Sequence, residues 1–409
     1  MANAMAEVGT KPETLKDAAV SRDVAHDGVR GVQRRRRSRL VMFVLAMIAI
    51  LVARPASHHV RATKLLMAFS DPNEKPVVTE QVTTVTVPAS AASEERIVKA
   101  RIFSPPDASV STPAVVLVHG VQHLGIEEPR LQRFARSIVS AGIIVMTPQI
   151  DELADYAVSR RSIDTVGATI EALRSQRGVQ RVGLMGVSFG GGVSLLTAAD
   201  ERFADHVAFV VAVGAHDDLA RVSGFFATNE IEEVTGGMTS KVHAHEYGAT
   251  VLVYTHAEDF FPAADVPAAR AALRLWLWEK REPAREAAKE LSPESKAKVE
   301  KLFAADVASM RTELLAEIER RRSDMKTVSP HEHLAGLRAN VYLLHGEGDT
   351  VIPATETLWL AKDVPSSTLR AVLVSPAIQH VELKEPTLSD KWALIHFMSG
   401  IITEAELAH

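Results

Sequence analysis

Short runs that are apolar on both faces recur along this chain: AVVLV at 114–118, IIVMT at 143–147, RVGLM at 181–185, VAFVVAV at 207–213, NVYLL at 340–344 and LRAVLV at 369–374. A strand apolar on both sides is satisfied only inside a sheet that helices cover from above and below. Most of the runs are separated by stretches of helical length, such as 127–141, which ends at Gly142 as a helix C-terminus should. The alternation predicts an α/β protein with a mostly parallel, doubly wound sheet. Two further strands are expected ahead of it, VVTEQVTTVTV at 77–87 and ERIVKARIF at 95–103, both rich in β-branched residues.

One interval is far longer than a crossover needs, that between Val213 and Asn340. It contains VLVYTHAEDFF at 251–261, whose periodicity does not separate a strand from a buried helix. Beyond it, Ser292-Pro293-Glu294 has the form of a helix N-terminus. Val299, Leu302, Phe303, Val307, Met310, Leu314, Leu315 and Ile318 then recur at helical spacing, as one stripe on a single long amphipathic helix. The reading is an α/β core at 77–218 and 340–409, with a helical cap inserted at 219–339, before the strand that carries Asp349.

The segment GVSFG at 186–190 stands between the run RVGLM and the helical pattern GGVSLLTAA. Strand, sharp turn and helix together are the setting in which a serine hydroxyl is thrust out at the carboxyl end of a sheet. The bland alternative is a glycine-rich helix start with Ser188 as its cap. A serine hydroxyl is a poor nucleophile until a base takes its proton, and that base needs a carboxylate to orient it. Asp349, in HGEGDTVIP at 345–353, and His380, in SPAIQHVEL at 375–383, follow two later strand runs. The chain order Ser188, Asp349, His380 is that of a triad on such a sheet. Asp217 and Asp218, just after the run at 207–213, are rivals for the acid but lack the loop pattern around Asp349. An oxyanion needs preset donors. The backbone N–H groups of Phe189 and of Val121, in HGVQHLG at 119–125, are the candidates, with Gln122 as a neighbour able to replace Val121.

These motifs resemble the α/β-hydrolase superfamily, and within it the dienelactone-hydrolase and prolyl-oligopeptidase-like esterases. The resemblance rests on LVHG at 117–120, GVSFGG at 186–191, LHGEGDTVIP at 344–353 and the histidine of AIQHVEL, and covers about 77–400. It implies the α/β-hydrolase fold, acyl-transfer chemistry and a triad of Ser188, His380 and Asp349. It implies no substrate. Dienelactone hydrolases use a cysteine where this chain has Ser188, so their specific activity does not carry over. The expected function is hydrolysis of a small-molecule carboxylic ester through an acyl-enzyme. A peptidase of the same mechanism is the alternative within the class, although no propeller-like repeat precedes the core. A binding or sensor protein reusing the fold is the alternative outside it, and would have no use for three triad residues in register.

The rest of the composition narrows the partners. Cysteine is absent, which excludes disulfides and thiolate metal sites. His243 with His245, and His331 with His333, lack the four-residue spacing of a zinc-binding helix, so no metal and no cofactor is expected. Trp276 and Trp278 read as packing within the cap. A net charge of −5 and no basic stripe in the body of the chain argue against nucleic acid. The basic run RRRRSR at 34–39 directly precedes an apolar stretch at 40–53, a targeting or anchoring signature. The expectation is a disordered tail at 1–39, a membrane anchor or signal segment at 40–54 and a connecting segment at 55–76. The arginines should stay cytoplasmic, which leaves the catalytic domain outside, either anchored or released after signal cleavage.

Overall fold

The computed structural model describes residues 54–408 except 72, 92, 236, 380, 381 and 384–386; the side chains of 379, 382 and 383 are also outside the description. The expected tail at 1–39, the apolar stretch at 40–53 and His380 therefore lie outside the described residues. Among the described residues no helix is long and apolar enough to cross a membrane. The chain divides into a unit ending at Ser57 and a unit spanning His58–His409, and the latter holds everything below.

All the strand runs read from the sequence are strands. They are β1 (Thr79–Val87), β2 (Arg96–Ser104), β3 (Ala114–Val118), β4 (Ile144–Pro148), β5 (Val182–Val187) and β6 (Val207–Val213). A short ribbon, β7 (Glu230–Glu232) and β8 (Thr239–Lys241), interrupts them before β9 (Asn340–Gly346) and β10 (Leu369–Ser375). Eight of these form one sheet in the order β1-β2-β4-β3-β5-β6-β9-β10. From β4 to β10 neighbours run parallel, while β2 is antiparallel to both β1 and β4. The central strands are buried along their whole length, as runs apolar on both faces require.

Helices cover both faces. The helix covering 58–70 of this unit (α1), α2 (Pro129–Ser140) and the last helix (Leu388–Leu407) pack on one side. After α3 (Asp151–Ala154), α4 (Arg160–Arg177) and α5 (Phe189–Ala199) pack on the other. The expectation of a mere connecting segment at 55–76 is corrected here. His58, Ala62, Leu65 and Ala68 lie at helical spacing on a buried stripe. Thr403 and Glu406 of the last helix bind His58, and Glu406 also binds Arg61.

The long interval folds mostly as helices: α6 (Leu219–Thr228), α7 (Tyr247–Thr255), α8 (Ala257–Phe260), α9 (Val266–Leu277), α10 (Arg281–Ala287), α11 (Pro293–Phe303) and α12 (Arg311–Lys326). The ambiguous segment at 251–261 is helical, shared between α7 and α8. The single long helix expected behind Ser292 is instead two. Ala305 adopts φ 55°, Asp306 N–H turns back to Lys301 O at 2.9 Å, and Asp306 Oδ1 accepts from Ser309 N–H at 3.2 Å. The apolar spacing runs through this break because Val299, Leu302, Met310, Leu314 and Ile318 all feed one core; Leu315 instead faces solvent. Part of the insertion, including Val222, Phe225 and Phe226, packs with Phe189, Val351 and Ile352 over the carboxyl end of the sheet.

Candidate active site

Between β5 and α5 a single residue reverses the chain. That residue, Ser188, has φ 54° and ψ −135°, a sparsely populated conformation that costs of order 1–3 kcal/mol and persists only where its surroundings hold it. Ser188 N–H donates to Val213 O at 2.7 Å, and Ser188 O accepts from Gly191 N–H at 2.8 Å. The turn has no room for side chains on either flank. A Cβ at Gly186 would stand 2.3 Å from Gly190 O, and one at Gly190 would stand 2.3 Å from His119 O.

The loop after β3 faces this turn. His119, fully buried, lies 2.8 Å by Nδ1 from Gly120 O and accepts Ile150 N–H at Nε2, 3.1 Å away. That pattern places the proton on Nδ1, and burial drives the ring pKa down to about 4, so the histidine is a neutral brace for the loop. Gln122 is occupied: its N–H donates to Leu153 O at 3.3 Å, and its side-chain amide bridges Leu124 N–H and Gly125 O. Neither Val121 N–H nor Phe189 N–H has an acceptor among the described residues. Phe189 also begins α5, where the helix dipole favours negative charge.

Asp349 lies in the loop after β9, two strands from β5 in the sheet. It is buried, and its Oδ1 accepts the N–H groups of Val351 at 2.8 Å and Ile352 at 3.0 Å. His345 stands 3.6 Å from Oδ2, but its own nitrogens engage Ile352 O and the Thr357 hydroxyl. His245 N–H of the insertion donates to Thr350 O at 2.8 Å, pinning the insertion to this loop.

The rival acids are engaged elsewhere. Asp218 caps α6, accepting from Ala220 N–H and Arg221 N–H. Asp217 bonds Arg221 at 2.9 Å, and Arg221 also binds Glu356 on α13 (Thr355–Asp363). Burial pushes the Asp217 carboxyl up to about 7, against the opposing hydrogen bond from Arg221. His331 stands 2.6 Å from Asp363 and 3.6 Å from Asp217, while His333 bonds the backbone oxygens of Ser329 and His331. Asp217, His331 and Asp363 are close enough to share a cation, as are His256, Asp259 and Glu317, but Arg221 already occupies Asp217, and Arg320 and Arg321 occupy the second set. Trp276 is packed against Phe303 with ring centroids 4.0 Å apart. Trp278 does more than pack the cap, stacking 5.3 Å from His123 in the loop after β3.

Two hollows adjoin the turn. Ser188, Gly120, Gln122, Glu128 and Arg130 line a small one of about 90 Å³. Phe189 and Val121 form part of a larger cavity, about 240 Å³, walled by the insertion. His119, Gly125 and the cavity wall were not singled out from the sequence, since each depends on what the fold brings against it.

No family model matches the chain, and no curated protein matches it in sequence. Solved structures do match. A candidate hydrolase from Legionella pneumophila superposes with a TM-score of 0.51 at 13% identity, over 84% of this chain and 94% of that one. A candidate dipeptidyl aminopeptidase IV from Bacteroides ovatus matches at TM-score 0.43 and 15% identity over 82% of this chain, which spans 36% of that protein. A bacterial membrane phospholipase A matches at TM-score 0.41 and 15% identity, over 90% of this chain and 99% of that one. With the sheet order and crossovers described above, the Legionella likeness shows the fold: it is the α/β-hydrolase fold.

Proposed function

We propose that this chain is a serine hydrolase that cleaves carboxylic-ester bonds, with Ser188 as nucleophile, His380 as general base and Asp349 as the carboxylate that orients it. The observation that carries the reading is Ser188 itself, held at positive φ between strand and helix, beside the two N–H groups of Phe189 and Val121 that have no acceptor among the described residues. His380 takes the hydroxyl proton as Ser188 Oγ adds to the ester carbonyl. The carbonyl oxygen becomes an oxyanion held by the N–H groups of Phe189 and Val121, and donors fixed in advance need no reorganisation when the charge develops. Collapse expels the alcohol, which leaves with the proton from His380. Water then repeats the sequence on the acyl-serine. The two backbone hydrogen bonds to Asp349 Oδ1 favour its charged form, which suits a residue that must steady an imidazolium. Hydrolysis of p-nitrophenyl esters by the purified protein, abolished in Ser188→Ala, tests the reading; a chain that only binds ligands would turn over none of them.

We propose further that segment 40–54 attaches the protein to a membrane, with the catalytic part outside the cytoplasm. The support is the order of a basic run and then an apolar one at 34–53. At 1.5 Å per residue the apolar run is about 21 Å long as a helix, short against a hydrocarbon core of about 30 Å, and the flanking arginines Arg39 and Arg54 can reach to the two surfaces. Cell fractionation with protease shaving tests it. Full-length protein in the soluble cytosol would contradict the attachment.

A further inference from the structure

The larger cavity is a half-open hollow with a selective wall. Val121 and Phe189 form the end nearest Ser188, and Leu219, Phe226, Val251 and Met325 supply much of its apolar surface. Most polar groups on the wall are already engaged. The Thr255 hydroxyl donates to Val251 O and Leu252 O, at 2.9 and 3.1 Å. Arg321 is held by Glu317 and Asp259, and His256 stands 3.9 Å from Glu317. Asp324 turns to solvent, with its side chain 75% exposed.

Two hydroxyls differ. Neither Ser223 Oγ on α6 nor the Tyr247 phenol at the start of α7 makes a hydrogen bond among the described residues, and both line the cavity. Ser223 is 5% exposed and Tyr247 half-buried, and what surface they keep borders the hollow. The Tyr247 ring lies 6.2 Å from that of Phe226, and burial, with the nearby Asp349 charge adding to it, pushes its phenol well above the ordinary range. A hydroxyl that borders an apolar hollow and bonds nothing in the chain is free to bond a ligand that enters it, and a few such polar groups on an apolar wall are what fixes a ligand's orientation.

We propose that this cavity binds an uncharged, mostly apolar arm of the substrate that carries one hydrogen-bonding oxygen or nitrogen, and that Ser223 and Tyr247 are the residues that recognise that atom. The proposal rests on the serine-hydrolase reading and deepens it. A charged arm is excluded because the cationic group on the wall, Arg321, is already neutralised by two carboxylates. The size follows from the volume. About 240 Å³ exceeds the roughly 150 Å³ that holds a benzene ring and falls below the roughly 300 Å³ at which drug-sized sites begin. An aromatic ring with a short substituent, or an alkyl chain of similar bulk, fits. Because Val121 and Phe189 belong both to this wall and to the oxyanion donors, the arm is attached directly at the scissile ester.

Two ester series decide which side of the ester the arm occupies: p-nitrophenyl esters from acetate to octanoate, and alkyl acetates from methyl to octyl. In one of them kcat/KM should rise at least tenfold from the shortest to the mid-length arm. Within that series, ether analogues with one methylene replaced by oxygen at successive positions should include one that exceeds its alkyl parent about tenfold. Ser223→Ala and Tyr247→Phe, which keep the bulk and remove a hydroxyl, should each pull that ether-to-alkyl ratio towards one. Val251→Trp, which fills the cavity, should move the length optimum back to the shortest arm. Flat length profiles in both series, or an unchanged ratio in both hydroxyl variants, overturn the proposal. If the wild type neither reacts with a fluorophosphonate nor cleaves any ester, the hydrolase reading has failed instead. Anisole, a ring bearing one ether oxygen, then tests the cavity alone by calorimetry. Binding weakened at least fivefold in the Ser223→Ala/Tyr247→Phe double variant retains the cavity assignment, and no binding to the wild type removes it.

Discussion

Gly120 and Ser188 are in direct contact: a Cβ on Gly120 would stand 3.0 Å from Ser188 Cβ and 3.3 Å from Val187 O. The loop that carries Val121 is thereby set at a fixed distance from Ser188. Gly120→Ala should push the two apart by a few tenths of an ångström and cost turnover rather than binding. A drop in kcat of about tenfold or more, with KM changed little, is expected, because small misplacements of reacting groups are expensive. Steady-state kinetics with a p-nitrophenyl ester read this, and an equal rise in KM with kcat intact would contradict it.

The strain at Ser188 has a separate consequence. At φ 54° and ψ −135° a glycine is relieved of the steric cost, whereas alanine keeps it. Ser188→Gly should therefore be more stable than Ser188→Ala by about 1 kcal/mol or more, because the steric cost at positive φ outweighs the unfolded-state entropy that otherwise favours alanine. Denaturant midpoints of the two inactive variants, compared side by side, measure the difference. An alanine variant at least as stable as the glycine variant would refute the idea of stored strain.

Much of this could be read from the residues alone, and for a physical reason. Strands buried on both faces announce themselves as unbroken apolar runs, and β3 to β6 and β9 are of that kind, while β10, at the edge of the sheet, is only partly buried. The turn at Ser188 was legible because only glycines fit at 186 and 190. What escaped depends on distant partners. Helix α1 buries small residues such as Ala62 and Ala68, and its polar partner Glu406 stands at the far end of the chain. Periodicity also cannot see the left-handed Ala305, because the helices on either side of it face the same core. Likewise nothing local marks Ser223 and Tyr247 as two walls of one hollow.

Asp349 and Asp217 should differ sharply in their effect on catalysis. Asp349 is fixed by backbone donors in the loop after β9, whereas Asp217 is tied to Arg221 beside Glu356. Asp349→Asn should lower kcat by about a thousandfold or more, and Asp217→Asn should stay within tenfold of the wild type. Parallel kinetics on the two variants check this; a severe loss confined to position 217 would move the acid to the end of β6.

The same Asp217 should make stability depend on pH. Its folded carboxyl titrates near 7, raised by burial, against an ordinary value of 3.8. Between about pH 4 and 7 the folded chain thus keeps a proton that the unfolded chain has lost, so stability should fall as pH rises through that window. His331 acts in the same direction at higher pH: burial alone would lower it, but the Asp363 hydrogen bond and the Asp217 charge raise it overall. Asp217→Asn, neutral throughout, should flatten the decline in Tm from pH 4 to 7. Parallel curves for the variant and the wild type would contradict this.

The central claim, that Ser188 is the covalent nucleophile, is met most directly by mass mapping after reaction with a fluorophosphonate. A single phosphonylated peptide carrying Ser188 is expected, with Ser188→Ala unlabelled and devoid of ester hydrolysis. Labelling that persists in Ser188→Ala, or that maps to another residue, would contradict it.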